Sequence, residues 1–312
     1  MDLGPLCEFA SARWPWGRYS SSKMSIPNDI IAAAVNGDIQ TVNRFLDEGG
    51  DVNAFDARHG GSNLLLVSAR SSRVELCREL LARGADPNRR ARDYTKASPL
   101  CLATLFADGG LSNPPQGGGA AWSASPSGKI YQILVESGAD LNARDYIRWG
   151  IDYSHEGHGS LLARILIDFG DIEFGDPDDQ DPSLFPEIVT ALLRAGAKVE
   201  SIFEDQASGE TYSASWCLDQ ALAVGPELAQ EEYFIKAREF IVGIQEDGSF
   251  KRFVRRPHRA VLRLRSLVSR GHATPKKWSP RGHDWHAIQF LVNPDVPKEV
   301  VWNILSFWRA ST

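Results

Sequence analysis

Cysteine is scarce in this chain, and the four present (Cys7, Cys77, Cys101 and Cys217) show no paired spacing. That absence argues against a disulfide framework. Three of the four stand among apolar helix-forming residues, where small buried thiols are common, and the pattern fits a reducing compartment, cytoplasmic or nuclear. Long apolar runs are missing too. Nothing approaches the roughly 18 residues of a membrane helix, so no membrane association is expected. The first 24 residues carry an acid at position two and no apolar core of secretory type, so the chain is not expected to be secreted.

The motifs of catalysis are equally sparse. There is no Walker or dinucleotide glycine pattern and no Ser-His-Asp or Cys-His order, so neither an enzyme nor a bound cofactor is expected. His155-Glu156-Gly157-His158 sets its histidines three apart in a glycine-rich stretch. A zincin needs them four apart on one helix face, so these read as exposed loop histidines and not as a metal site. The stretch from Asp176 to Glu187 has Asp181 where a calcium loop needs its turning glycine. Ile165 to Leu193 holds eight acids and no Lys or Arg, and reads as an acidic loop that faces a basic partner or is simply solvated.

What is present is an ordinary core-forming composition, 43% hydrophobic and 24% charged. The net charge of −6 conceals an asymmetry: residues 245–312 carry 13 basic and 5 acidic residues, and residues 1–244 carry 21 basic and 35 acidic. That shift marks a boundary near residue 245.

The stretch from Gly61 to Asn88 organises the rest. A first apolar block (Leu64, Leu65, Val67, Ala69) is followed by a polar break at Ser71 and Ser72. A second block (Val74, Leu76, Cys77, Leu80, Leu81) ends at Gly84. Two short amphipathic helices closed by Gly84-Ala85-Asp86-Pro87-Asn88 make a unit that cannot bury its apolar face alone and must stack on copies of itself. Glycine ends a helix at least cost because it enters the left-handed region freely, and Asp and Asn fold the turn with their short side chains. The closing signature recurs at Gly50-Asp51-Val52-Asn53, at Gly138-Ala139-Asp140-Leu141-Asn142 and, altered, at Gly196-Ala197-Lys198-Val199-Glu200. The separations along Asp51, Asp86, Asp140 and Lys198 are 35, 54 and 58 residues. The first is one repeat, and the others imply insertions of roughly 20–25 residues.

These units resemble the ankyrin repeat, a β-turn and two helices over about 33 residues. Ser98-Pro99-Leu100-Cys101-Leu102-Ala103 is similar to that family's Thr-Pro-Leu-His-x-Ala, with Leu65 and Cys101 standing where the family has histidine. The resemblance implies an all-α ankyrin-repeat solenoid of about four to five repeats over residues 27–244, after a flexible tail at 1–26. It carries insertions near 107–128 and 171–182 and a basic helical C-terminal extension at 245–312. Second helices are expected at Lys129–Ser137 and Pro186–Ala195, a fifth pair at Ala214–Val224 and Glu231–Ile244, and a linker or short strands at Gln245–Pro257. By the same resemblance the chain is expected to be a scaffold that binds a protein partner through the turns between repeats and the concave face. The candidates there are mostly aromatic and arginine residues, the types enriched at hot spots: Phe55, Arg58, Arg89, Arg90, Tyr94, Tyr146 and Trp149, with Asp145 beside them in the same turn.

The extension carries two further readings. Lys251–Arg270 sets Val261, Leu264 and Val268 on one helical face and Arg259, Arg263 and Arg270 on the other, which suits either packing on the last repeat or nucleic-acid phosphates. Residues 296–308 resemble the opening of an F-box in Pro297, Glu299, Val300, Ile304, Leu305, Ser306 and Phe307. That resemblance implies a dock for cullin-ligase subunits, including the F-box-binding linker, through Pro297, Val300, Ile304, Leu305 and Trp308. The competing reading is an amphipathic helix that caps the last repeat.

Overall fold

Several helices in this chain begin where a short polar side chain can accept an otherwise unpaired backbone N–H. Asp38 accepts from Thr41, Asn63 from Leu66, Ser98 from Cys101 and Ser125 from Gly128, at 2.8 to 3.2 Å. A computed structural model describes residues 25–56, 61–92, 96–108, 110, 121–149, 155–168, 184–272, 290–293, 295–301 and 304. The residues expected to form the N-terminal tail up to position 24, and those of the acidic insertion at 171–182, lie outside them.

The described chain is mainly helical. In order it runs α1 (Asn28–Asn36), α2 (Ile39–Asp47), α3 (Leu64–Arg70), α4 (Val74–Ala82), α5 (Pro99–Phe106), α6 (Pro126–Glu136), α7 (Leu161–Asp168), α8 (Leu184–Ala195), α9 (Ala214–Val224), α10 (Glu232–Asp247), α11 (Phe250–Val254) and α12 (Arg256–Ser269). Helix α1 packs on α2 and α3, α3 on α4 and α5, α5 on α6, and α4 on α6. Farther along, α7 packs on α9 and α8 on α10. One continuous apolar core runs from Ile26 to Ile244. In α4, Leu76, Cys77 and Leu80 are buried in it, while Leu81 is half-buried at its edge.

The second helices α2, α4, α6 and α8 stop in the same way. Gly49, Gly84, Gly138 and Gly196 take φ of +94°, +87°, +87° and +109°, a backbone that strains any residue with a Cβ. The next N–H then reaches back over the last turn, from Gly50 to Phe45, Ala85 to Leu80, Ala139 to Leu134 and Ala197 to Leu192, at 2.9 to 3.0 Å. Asp51, Asp86 and Asp140 each accept the N–H of the asparagine two positions on at 2.9 Å. Those asparagines join one turn to the next. Asn53 donates to the Gly84 carbonyl at 3.1 Å and accepts the Asp86 N–H at 2.8 Å. Asn88 does the same with Gly138 at 3.1 Å and Asp140 at 2.7 Å, and Asn142 accepts the Lys198 N–H at 2.8 Å.

The structure corrects the sequence reading in four places. First, a small sheet accompanies the helices, which still dominate as expected: β1 (Asp145–Trp149), β2 (His155–Gly159), β3 (Phe203–Asp205) and β4 (Thr211–Tyr212) form one antiparallel four-stranded sheet in sequence order. Second, the His155–Gly159 stretch is strand β2, with His158 opposite Tyr146 and Gly157 opposite both Ile147 and Asp205. A Cβ on Gly157 would sit 2.3 Å from the Phe203 ring, and one on Gly159 2.6 Å from Ile147. These glycines serve close packing of strands, the use that makes glycine tolerable in a sheet.

Third, helix α6 starts at Pro126, not Lys129, and the stretch before it is tied to the core. Trp122, in a 3-10 turn at Trp122–Ala124, is only 2% exposed and donates its indole N–H to Ser127 at 3.0 Å. Fourth, residues 245–257 are largely helical, with a break at Gly248 and Ser249. Helix α10 continues to Asp247, and α11 packs on α8 and α10, with the Phe253 ring edge-on to Phe240. Beyond it, Val261 of α12 joins Leu291, Val292, Val296 and Val301 in a separate small core.

Candidate interaction surface

The repeated asparagine ladder brings the turns into register, so residues far apart in sequence meet at equal offsets. Counted from Asn53, Asn88 and Asn142, the second residue on is Phe55, Arg90 and Arg144. Each turn then reaches toward its neighbour through an arginine. The guanidinium groups of Arg89 and Arg92 lie 4.4 and 3.9 Å from the centroid of the Phe55 ring, close enough for cation–π attraction. Arg90 donates to the carbonyl of Arg144 and stands 3.7 Å from Asp145. Arg144 in turn pairs with Glu204 and donates to the Ser201 carbonyl at 3.1 Å.

The sequence candidates fall into three groups. Phe55, Arg89 and Arg90 come together in this row, and Tyr146 continues it on β1. The Tyr146 hydroxyl donates to Glu156, and its ring stands edge-on to His158 with 5.7 Å between centroids. Asp145 has a different role. It is 1% exposed, so it does not meet a partner directly; it accepts from the Ser98 hydroxyl at 3.1 Å and anchors Arg90. Burial raises its carboxyl above the ordinary range, and Arg90 and Ser98 pull it back only partly. Arg58, Tyr94 and the side chain of Trp149 lie outside the described residues.

Sequence reasoning missed Arg92, Arg144 and Glu204. Arg144 was accessible, because it repeats the offset of Arg90. Arg92 was not: its place depends on the backbone of Gly61, whose carbonyl accepts the Arg92 N–H at 3.2 Å.

At the C-terminal end the candidate dock divides between inside and outside. Val301 is 1% exposed and packs toward α12, whereas Val300 and Ile304 are each 38% exposed and Pro297 is exposed. Leu305 and Trp308 lie outside the described residues. This segment packs in the α12 core, while α11 covers α8 and α10. Several arginines of the basic stretch are already occupied. Arg256 contacts Glu246 and Asp247 at 2.9 Å, Arg259 contacts Asp247 at 3.2 Å, and Arg265 donates to the carbonyls of Leu291 and Val296.

Among the described residues no helix is long and apolar enough to cross a membrane, and no three His, Cys, Asp or Glu side chains gather as a metal site. The chain matches no family model and has no significant match among curated proteins.

Proposed function

We propose that this chain is an ankyrin-type solenoid acting as a non-catalytic scaffold, which binds a protein partner through the turns between its helix pairs. The observation that carries this reading is the asparagine ladder, which joins successive turns by the same hydrogen bonds (Asn53 to Asp86, Asn88 to Asp140, Asn142 to Lys198). Stacked units joined this way present a long, rigid row of side chains, the property that repeat proteins use for recognition. Arginine and aromatic residues along the row are the types that dominate binding hot spots. The three buried thiols suit a reducing compartment, the cytosol or nucleus.

The test is affinity capture with the full chain as bait, followed by the Tyr94→Ala/Tyr146→Ala/Trp149→Ala variant. A partner retained by the parent chain and lost by a folded variant supports the reading. A partner whose affinity is unchanged moves binding away from the turns.

A second reading is supported by Val300 and Ile304, two large apolar side chains left exposed on a segment whose Val301 is buried. It makes the chain a substrate-recognition adaptor that docks on the F-box-binding linker of a cullin ligase. Pro297→Ala with Ile304→Ala should abolish linker binding while the helix pairs stay folded, and no binding by the intact chain would sink it. The ion pairs of Arg256 and Arg259 weigh against the third reading, nucleic-acid binding through 251–270. Salt-dependent retention on DNA or RNA, lost in Arg255→Ala/Arg259→Ala/Arg263→Ala, would restore it.

A further inference from the structure

The arginines of the row are not equivalent. Arg90 has Asp145, Arg144 has Glu204, and nearby Arg83 has Asp47 and Glu79. Arg89 and Arg92 have no carboxylate partner among the described residues; what holds them is the ring of Phe55. A ring face attracts a guanidinium without neutralising it, so both charges remain available to a ligand.

The backbone beneath both side chains is held as well, so the ring contacts act on anchored stems. The Arg92 stem runs over Gly61, where an added Cβ would meet the Arg92 Cβ at 2.4 Å. The Arg89 N–H is held by the Asp86 carbonyl at 3.2 Å. The Arg89 Nε is shut away from solvent with no acceptor. A ligand therefore meets the terminal nitrogens of this half-buried side chain, not that atom.

We propose that the Arg89–Phe55–Arg92 cluster is the docking site for an acidic peptide segment of the partner, whose side-chain carboxylates are received by the two guanidinium groups. The inference rests on the protein-binding reading above and names the chemistry of the partner. Guanidinium groups match carboxylates in planar, two-bonded geometry, and groups already immobilised lose little entropy on binding. A nucleic acid fits this place less well. The turns that carry the cluster also carry Asp51 and Asp86, and residues 1–244 hold 35 acids against 21 bases. A long phosphate backbone would meet that negative field over its whole length, whereas a short acidic segment needs only the local pair of cations.

The test uses the full chain and a fluorescein-labelled peptide of alternating glutamate and glycine, followed by fluorescence anisotropy. Saturable binding is expected for this peptide and none for its glutamine counterpart. Arg89→Gln/Arg92→Gln should weaken binding by roughly tenfold or more, the effect of losing charge-assisted hydrogen bonds. Lys251→Gln/Arg252→Gln/Arg255→Gln, which removes charge from the basic extension, should leave it intact. Arg89→Lys/Arg92→Lys keeps the charge but loses the planar fork. It should fall between the two, and it serves as the comparison if the glutamine variant melts early.

Absence of saturable binding, equal binding by the double glutamine variant, or loss only in the extension variant overturns the proposal. So does a single-stranded oligonucleotide that binds more tightly through the same two arginines. A partner captured by the full chain but indifferent to Arg89 and Arg92 sinks this inference and leaves the scaffold reading standing; loss of the scaffold reading shows in the capture assay itself.

Discussion

The carboxylate of Glu187 accepts the backbone N–H of Trp122 at 2.8 Å and that of Ser123 at 3.1 Å, across more than sixty residues of chain. It meets the unpaired start of a helical turn, where an anion is most favourable, and pins that turn to α8. We expect Glu187→Ala to lower stability by about 1–3 kcal/mol, because two donors lose a charged acceptor. Glu187→Gln should recover part of it. Urea unfolding measures both, and an alanine variant indistinguishable from the parent would mean that the packing of Trp122 alone holds the turn.

Leu80 and its neighbour Leu81 should respond differently to truncation. Leu80 is fully buried and Leu81 half-buried. Leu80→Ala should cost about 2–5 kcal/mol and Leu81→Ala clearly less. A loss below about half a kcal/mol for Leu80→Ala, the range of surface changes, would remove that residue from the core.

Asp145 should make stability fall as pH rises. Its carboxyl is raised by burial, so above the ordinary carboxylate range the unfolded chain gives up its proton while the folded chain still holds it. Stability is therefore greatest below the unfolded value and declines as pH climbs toward the folded one, where the decline ends. Asp145→Asn should lack this component and gain on the parent as pH increases through that window. Thermal melts of both across mildly acidic pH test it, and a difference that does not change with pH removes Asp145 from the effect.

The thiols of Cys77 and Cys217 should be inert in the folded protein. Burial pushes each up to about 12, leaving almost no thiolate at neutral pH. Cys101 is buried as well. In a Cys7→Ser background, iodoacetamide should label nothing under native conditions and should label all three in urea. Rapid native labelling of any of them would show that the helices open readily at that point.

The helix pairs were legible because their signals are local. Apolar spacing, a capping residue and a closing glycine all lie within one unit, and the pair Ala214–Val224 and Glu232–Asp247 falls almost where its pattern sets it. The sheet was not legible for the opposite reason. Strand β2 pairs with its neighbour β1 and, across the α7–α8 pair, with β3, so its identity rests on pairing that its own residues do not show. Glycine there reads locally as loop, and the close approach of Phe203 and Ile147 explains it. At the candidate surface, residue type brought out Phe55, Arg89 and Arg90. Its place in the same turn brought in Asp145, whose burial no local pattern reports.

The three asparagine joints span 33, 52 and 56 residues of chain, yet close at 2.8, 2.7 and 2.8 Å. The geometry of a joint is thus independent of the contour length between its halves. Whatever is spliced between the two helices of a unit leaves the pitch from unit to unit unchanged. Such a frame admits new loops between α5 and α6 or between α7 and α8 as cargo. A lineage, or an engineer, can exchange what is carried there without renegotiating how the units meet.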